Sequence, residues 1–320
     1  MFQKLKYVYA VYKEKSFTHA AQKLFISQPS LSAAIKKLEE EIGAPLFERS
    51  GAEITLTEVG RAYVESAEQM IKSEESFIQK LNDIYNLETG KLTVGGTNYL
   101  SSYVLPRIIN RFTSLYPKIE VSLVEANSLT LSKMIQEEEI DVIVDSFDNT
   151  MEAYQGYPLS SEKILLCVPK DRKINEGLEK FRISPQDIYE GKCDFAPVPS
   201  VNIKVFADED FVLLKSGNDM YNRASYIFEK SGIKPKVSFS VDQLNISYAL
   251  ANSGMGLCFV TDTLFRFGDV PKNVYVYNVG GATFSRTLYI AHKKNKYCSS
   301  AMSKFIEIAK QVVVTERDRS

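Results

Sequence analysis

The sequence predicts an α/β protein in two parts: a small helical head joined to one long helix, then alternating strands and helices to the C-terminus. Three observations predict it. Apolar residues recur at helical spacing through the first forty positions. Two apolar rows run at heptad spacing between residues 63 and 85. From residue 90 the pattern switches to short β-branched runs separated by amphipathic stretches, the signature of helices packed on sheets. At 320 residues the chain is long enough for two or three domains.

Leu5, Val8, Tyr9 and Tyr12 fall at i, i+3, i+4 and i+7, so residues 4–14 read as an amphipathic helix. Ser16 is placed to cap a second helix, whose inner face is Phe17, Ala20, Ala21 and Leu24. Ser27 caps a third, with Pro29 tolerated in the first turn and Gly43 ending it. Leu31, Ile35, Leu38 and Ile42 would face inward. Gln28, Pro29, Ser30, Ser32, Ala33 and Lys36 would then face out, mostly at the helix start. A short helix, a tight turn and a longer helix opening on small polar residues describe a helix-turn-helix, which offers those residues to base edges in the major groove.

Charge is distributed in keeping with this. The chain carries a net −1, yet residues 1–38 hold seven lysines against Glu14 alone, a local +6. Such a segment suits a polyanion; taken alone it suits a solvated helix face equally well. Lys23, Lys36 and Lys37 would supply the salt-dependent part of DNA affinity.

Thr57 can cap the long helix. Its stripe runs Tyr63, Met70, Phe77 and Ile84, flanked by Val64, Ile71, Ile78 and Tyr85. A stripe of this length calls for a partner chain, and residues 87–90 would end the helix. Beyond it, strands are expected at 91–95, 119–125, 140–145, 164–168, 211–214, 236–240, 257–260, 275–277 and 288–291. Helices are expected at 105–116, 129–138, 219–230, 243–251 and 301–314.

Several classes of function are disfavoured. No apolar run reaches membrane-spanning length and the first residues lack an apolar leader, so a cytoplasmic protein is expected. Four scattered cysteines and two histidines offer no metal-ligand spacing, so no metal or cofactor is expected. Cys167 and Cys258, in apolar strands, read as buried structural residues; His292 reads as solvent-facing. P-loop, G-x-S-x-G and H-E-x-x-H motifs are missing, which argues against an enzyme.

The order Ser16-Phe17-Thr18-His19-Ala20-Ala21, Leu24, Ser27-Gln28-Pro29-Ser30-Leu31-Ser32, Ile35, Leu38-Glu39, Gly43, Leu46-Phe47, Arg49 and Leu56-Thr57-Glu58-Val59-Gly60 resembles the winged helix-turn-helix of LysR-type transcriptional regulators. Lys15 stands where the family usually has a turn former, so strain is expected there, and Ala52 replaces a common basic wing residue. The remaining length resembles the family's effector-binding domain, a two-lobed fold like type 2 periplasmic solute-binding proteins. Matching segments include Leu105-Pro106, Val121-Ser122-Leu123-Val124-Glu125, Ile140-Asp141-Val142-Ile143-Val144, Gly232-Ile233-Lys234-Pro235 and Asn252-Ser253-Gly254-Met255-Gly256.

The resemblance implies a winged head over 1–57, a linker and dimerisation helix over 58–89, and an effector domain over 90–320. One lobe would take 90–163 with 267–320, the other 164–266. It implies that Thr18, Ser27, Gln28, Pro29, Ser30, Ser32 and Lys36 approach promoter DNA, with a wing at 46–56 and Arg49 at a phosphate. It implies a homodimer or homotetramer, a small-molecule effector and RNA polymerase as partners. In such a fold ligands sit outside the carboxyl ends of strands. Thr97, Asn98 and Tyr99, then Asn127 and Ser128, would line the cleft from one lobe. Lys215, Gly217, Met220, Asn245 and Thr261 would line it from the other. The free N–H groups at Ser128 would suit an anion. The alternative is a small-molecule binding protein whose head has no DNA-binding role.

Overall fold

The computed structural model describes residues 2–48, 54–84, 89–146, 151–190, 193, 199–268, 272–279 and 284–317. The chain divides into two units, Met1–Asn86 and Leu87–Ser320.

In the first unit, α1 (Phe2–Glu14), α2 (Phe17–Lys23) and α3 (Gln28–Ile42) enclose Val8, Val11, Ala20, Ala21, Leu31, Ile35 and Leu38. The caps are those the sequence predicts. Ser16 Oγ accepts from the His19 N–H and Ser27 Oγ from the Ser30 N–H, both at 3.3 Å. Gly43 closes α3 at φ +82°. Lys15 lies at φ +49°, the left-handed region the departure from the family pattern implies. Ile42 does not face inward; it sits in the last turn, exposed beyond the core end at Leu38.

A two-residue ribbon pairs β1 (Phe47–Glu48) with β2 (Thr55–Leu56). Arg49 and Ala52 lie outside the described residues. The root of this wing is tied to α3, where Glu39 Oε1 accepts from the Leu46 N–H at 2.7 Å. Thr57 then caps α4 (Glu58–Ile84), accepting from Gly60 N–H at 2.9 Å and donating to Pro45 O at 2.7 Å. At 1.5 Å per residue α4 is about 40 Å long. Its stripe is divided. Tyr63 and Val64 join the head's own core, so Tyr63 is not left for a partner chain as expected. The reason is that α1 lies along this part of α4, with Lys13 facing Glu68 and Lys6 facing Glu74. Farther on, Met70 (42%) and Phe77 (59%) stay exposed. The Ile84 side chain and residues 87–88 of the helix end expected at 87–90 lie outside the described residues, and Gly90 already begins a strand.

The second unit contains β3 (Gly90–Gly96), α5 (Asn98–Tyr103), α6 (Leu105–Leu115), β4 (Ile119–Glu125), α7 (Ser128–Gln136) and β5 (Val142–Ser146). Then come β6 (Tyr154–Pro169), β7 (Arg182–Ile183), α8 (Pro185–Tyr189), β8 (Asp210–Leu214), α9 (Asp219–Ser231), β9 (Lys236–Val241) and α10 (Leu244–Asn252). The remainder is β10 (Cys258–Thr261), α11 (Asp262–Phe267), β11 (Val274–Tyr277), β12 (Ser285–Lys293) and α12 (Ser300–Arg317).

β3 runs parallel to both β4 and β5, and β12 pairs antiparallel with β5 and with the first half of β6. The second half of β6 pairs with β10 on one edge and β11 on the other. β6 is therefore one 16-residue strand shared by two sheets. Its polar first half gave no strand signal; pairing with β12 makes it one. β11 belongs with the second sheet, paired to β6 and β7. This corrects the expected lobe boundary at 267, because residues 274–277 return to the second lobe before the chain crosses back along β12. β8 and β9 form a parallel pair joined to β10's segment through Phe211 and Leu257.

The cores are aromatic. Phe112 meets Phe305 edge-on at 5.2 Å in the first lobe, and Phe211, Phe228, Phe259 and Phe284 interlock in the second. Gly256, expected to allow a close backbone approach, packs on the chain itself: a Cβ there would lie 2.9 Å from Asp210 O. Cys167 and Cys258 are buried cross-strand neighbours, and burial pushes the Cys167 thiol well up, the opposite of a reactive cysteine. His292 is buried beside Tyr157 rather than facing solvent, because β12 is an inner strand of its sheet.

Gly60 offers a direct test of the head. A Cβ at this position would stand 2.0 Å from Leu46 O. Gly60→Ala should destabilise the first unit by about 1–3 kcal/mol, the range of overpacking. Amide hydrogen exchange should accelerate in α1 and α3 and stay unchanged in α6 and α12. Unchanged exchange in α3 would show that the wing root does not brace the head.

Candidate functional site

Two regions have the geometry of a site. The first is the start of α3. Thr18, Ser27, Gln28, Pro29, Ser30 and Lys36 are exposed, and Ser32 is half-buried. Their polar atoms are organised among themselves. The Ser27 and Ser30 hydroxyls are 2.7 Å apart, and Gln28 Nε2 donates to Ser32 Oγ at 3.0 Å. The arrangement displays a polar, uncharged edge at a helix N-terminus, where backbone N–H groups point outward. Phe25, in the turn before α3, is 96% exposed at φ +54°; its sequence context gave no sign of this.

The basic segment is less bare than its composition suggests. Lys4, Lys6, Lys13 and Lys23 face Glu41, Glu74, Glu68 and Glu14 respectively. Lys23, expected to supply a phosphate contact, is thus engaged. Lys36 and Lys37 form no ion pair among the described residues and stand on the exposed side of α3, so the positive field lies close to the polar edge.

The second region is the cleft between the lobes of the second unit. Thr97, Tyr99, Ser128 and Met220 line it, as expected. The other expected residues are not on its wall. Asn127 caps α7 by accepting from the Thr130 N–H at 2.9 Å, which leaves Ser128 as the first helical residue. Lys215 pairs with Asp242 at 2.7 Å, and Gly217 serves a left-handed turn at φ +93°. Asn245 accepts from its neighbour's N–H, and Thr261 is fully buried behind the wall. Asn98 lies beside the wall with Oδ1 buried and lacking a hydrogen-bond partner among the described residues. Glu162 Oε1 shares that condition; the Tyr99 and Thr261 hydroxyls face each other, and burial pushes the Tyr99 phenol up.

What sequence reasoning missed is the charge. Arg286, at the start of β12, has a side chain only 8% exposed. Its Nε donates to Glu162 of β6, and its Nη1 donates to Asp219 of α9 at 2.9 Å and to Ser146 of β5 at 3.4 Å. Asp219 also accepts from Arg223 Nε and Ser146 Oγ, each at 2.9 Å. One guanidinium thus joins both crossing strands and a helix of the second lobe. Burial opposes charge on Asp219, but Arg286 and Arg223 outweigh it and hold the carboxyl down to about 2. Asp145, at the end of β5, fares differently. Burial raises it to about 6, although the Ser128 hydroxyl and the Ser146 N–H both donate to it. The one signal in the sequence was an acidic residue ending an apolar strand.

The cleft is closed: its free volume is about 40 Å³, room for little more than a water. Among the described residues, Asp145, Asp219 and Asp242 line it against Arg286. Ser128, expected to greet an anion, already donates to Asp145.

Comparison with known proteins places these features. The bacterial regulatory helix-turn-helix protein, lysR family, matches residues 2–61, and the LysR substrate binding domain matches residues 86–313. The uncharacterized HTH-type transcriptional regulator YcgK of Bacillus subtilis (strain 168) is 31% identical over 307 residues, covering 96% of this chain and 93% of its own. A probable RuBisCO transcriptional regulator of Thalassiosira pseudonana is 26% identical over 309 residues, covering 95% and 94%. Among solved structures, full-length CbnR complexed with its target DNA superposes with a TM-score of 0.65 at 18% identity, over 98% of this chain and 99% of that one. Full-length BenM gives 0.56 at 22%, over 99% and 97%. At these identities the structures bear on the fold.

Asp145 makes the cleft sensitive to pH. Its folded value, about 6, lies above the roughly 3.9 of an unfolded aspartate, so the folded state holds its proton longer. Stability is therefore favoured below about pH 4 and falls as pH rises through 6. Asp145→Asn should stabilise the second unit by about 3 kcal/mol at pH 7.5, with the gain vanishing toward pH 4. Melting temperatures of both proteins across that range check it. An equal gain at every pH would mean that Asp145 is not a buried charge.

Proposed function

The chain belongs to the LysR family of helix-turn-helix transcriptional regulators, and on that premise we propose how its residues divide the work. The start of α3 enters the major groove. Gln28 hydrogen-bonds a base edge, Ser30 and Ser32 fit beside it, and Thr18 and Ser27 contact the backbone. Pro29 holds the first turn in shape, and Lys36 neutralises a phosphate. The observation that carries this reading is the exposed, self-organised edge from Ser27 to Ser32: its polar atoms serve each other and leave the rest of the head uninvolved.

Two heads act together. Met70 and Phe77 are exposed at heptad spacing on α4, and a second copy of the chain covers them in a homodimer, with a homotetramer as the larger assembly. The second head's contact is then effectively intramolecular, which compensates for the modest charge of each head. Among the described residues no helix is long and apolar enough to cross a membrane, and the work is done in the cytoplasm on promoter DNA, with RNA polymerase as the protein whose recruitment changes.

The effector enters between the lobes by displacement, since the cleft holds no empty room. It exchanges contacts with the Arg286 network and favours whichever lobe arrangement it binds better. The cleft's acidic excess selects against an anion at Ser128 unless Asp145 is protonated. A neutral or cationic polar group facing Asp145 and Asp242 matches the wall better than the anion expected from the α7 N-terminus.

Gel shifts with the DNA upstream of the protein's own gene, at two salt concentrations, test the head. Gln28→Ala should lose about 1–3 kcal/mol of preference for one base pair. Lys36→Ala should weaken binding to all sequences and lower the log–log salt slope by about 1. If both variants bind as the parent does, α3 is not the reading helix. Phe77→Asp should shift the chain to a smaller species in sedimentation velocity and weaken DNA binding. An unaltered sedimentation coefficient would remove α4 from the dimer interface.

A further inference from the structure

A cavity larger than the cleft lies in the same unit. It lies farther along α9, within the second unit, with a volume of about 880 Å³. That falls in the range of small-molecule sites. Its apolar wall is made by Ile203, Ile227, Val279 and Phe284, all buried or nearly so. Among the described residues its charged groups are Arg223 and Lys230, and no carboxylate lines it. The contrast with the cleft, lined by three aspartates and one arginine, is one of sign. Lys230 reaches only the Tyr226 hydroxyl, at 3.4 Å, and forms no ion pair among the described residues.

Arg223 connects the two places. The guanidinium that lines the cavity also donates through Nε to Asp219 and through Nη1 to Ser285 O at 3.2 Å. Asp219 in turn holds Arg286. We propose that this cavity is a second ligand site, taking a carboxylate with an aromatic or branched aliphatic body, and that its occupancy is coupled through Arg223 to the charge network between the lobes. The carboxylate sits between Arg223 and Lys230, where charge-assisted hydrogen bonds are available. The apolar body lies on Ile227 and Phe284. An added anion beside Arg223 competes with Asp219 for the same cation. Binding here and the Asp219–Arg223 contact are therefore linked with negative sign, and the linkage is reciprocal. The inference goes beyond the reading above, which places an effector in the cleft, and it holds whether or not the head binds DNA.

The test is isothermal titration calorimetry of the full chain, without DNA, using 3-phenylpropionate at millimolar concentration and the neutral 3-phenylpropanamide as its twin. The carboxylate should bind and the amide should bind about tenfold more weakly. Asn222 is exposed on α9 at the cavity rim, so Asn222→Trp should block binding without touching the core. Lys230→Ala should weaken the carboxylate about five- to tenfold and leave the amide unchanged. Asp219→Asn should tighten the carboxylate several-fold by releasing Arg223. Ser146→Ala, which removes one donor from Asp219 and leaves its two arginines, should shift affinity for the probe by less than Asp219→Asn does. A silent titration, equal binding of the amide, or indifference to Asn222→Trp overturns the site. An affinity unmoved by Asp219→Asn overturns the coupling. Because the titration contains no DNA, a failed gel shift leaves it standing, and the reverse holds too.

Discussion

A guanidinium keeps its charge at every pH a protein meets, so burying one forces the fold to bring anions to it. Arg286 imposes that condition on the second unit. It leaves the start of β12 almost wholly enclosed, and its anions come from different places: Glu162 on β6 and Asp219 on α9. Charge on Arg286 is thereby locked in, since burial works against it and the two carboxylates more than restore it. Separating the lobes would withdraw Asp219 and leave a buried cation half paired, at a cost of several kcal/mol unless something replaces the lost anion. The contact therefore holds the lobes in the arrangement seen, and any other arrangement needs a replacement anion for Arg286. This is the kind of element a ligand can bias by binding one arrangement better than the other.

The head follows a different economy. Four of its seven N-terminal lysines face glutamates, on surfaces where such pairs contribute little to stability. What the pairing changes is the field. Paired charges cancel at a distance, so the residual positive potential falls to Lys15, Lys36 and Lys37, the last two a little over two turns along α3 from Gln28. A head charged all round would bind any polyanion in many orientations. One whose unpaired cations lie beside a neutral polar edge prefers the orientation that brings that edge into a groove.

Local chemistry made much of this legible. Ser16, Ser27, Thr57 and Gly43 each cap a helix through a backbone group within four residues, so the sequence carries the capping interaction and each cap sits where it was expected. Long-range pairing left no such trace. Arg286 and Glu162 are 124 residues apart, and each looks like an ordinary surface charge in its own segment. The first half of β6 reads as a polar loop because its partner strand lies in β12. Tyr63 sits on the heptad row with Phe77, and only the path of α1 decides which of them a partner chain is free to meet. The cleft residues divide the same way. Thr97, Ser128 and Met220 were found because strand ends and helix starts mark them, whereas Asp145, Asp219 and Arg286 take their roles from one another.

The same reasoning explains why one helix can serve two cavities of opposite sign. α9 carries Asp219 and Arg223 one turn apart, at i and i+4, and a pair so spaced meets on one face. The acid lines the cleft and the base lines the cavity one turn farther along the helix. Each neutralises the other only while neither is claimed from its own side. A cation or neutral donor taking Asp219 leaves Arg223 more available, and an anion taking Arg223 leaves Asp219 more dependent on Arg286. Coupling of this kind needs no movement of the backbone. It needs only that the two charges be close, poorly hydrated and shared, and side chains 12% and 17% exposed satisfy that condition.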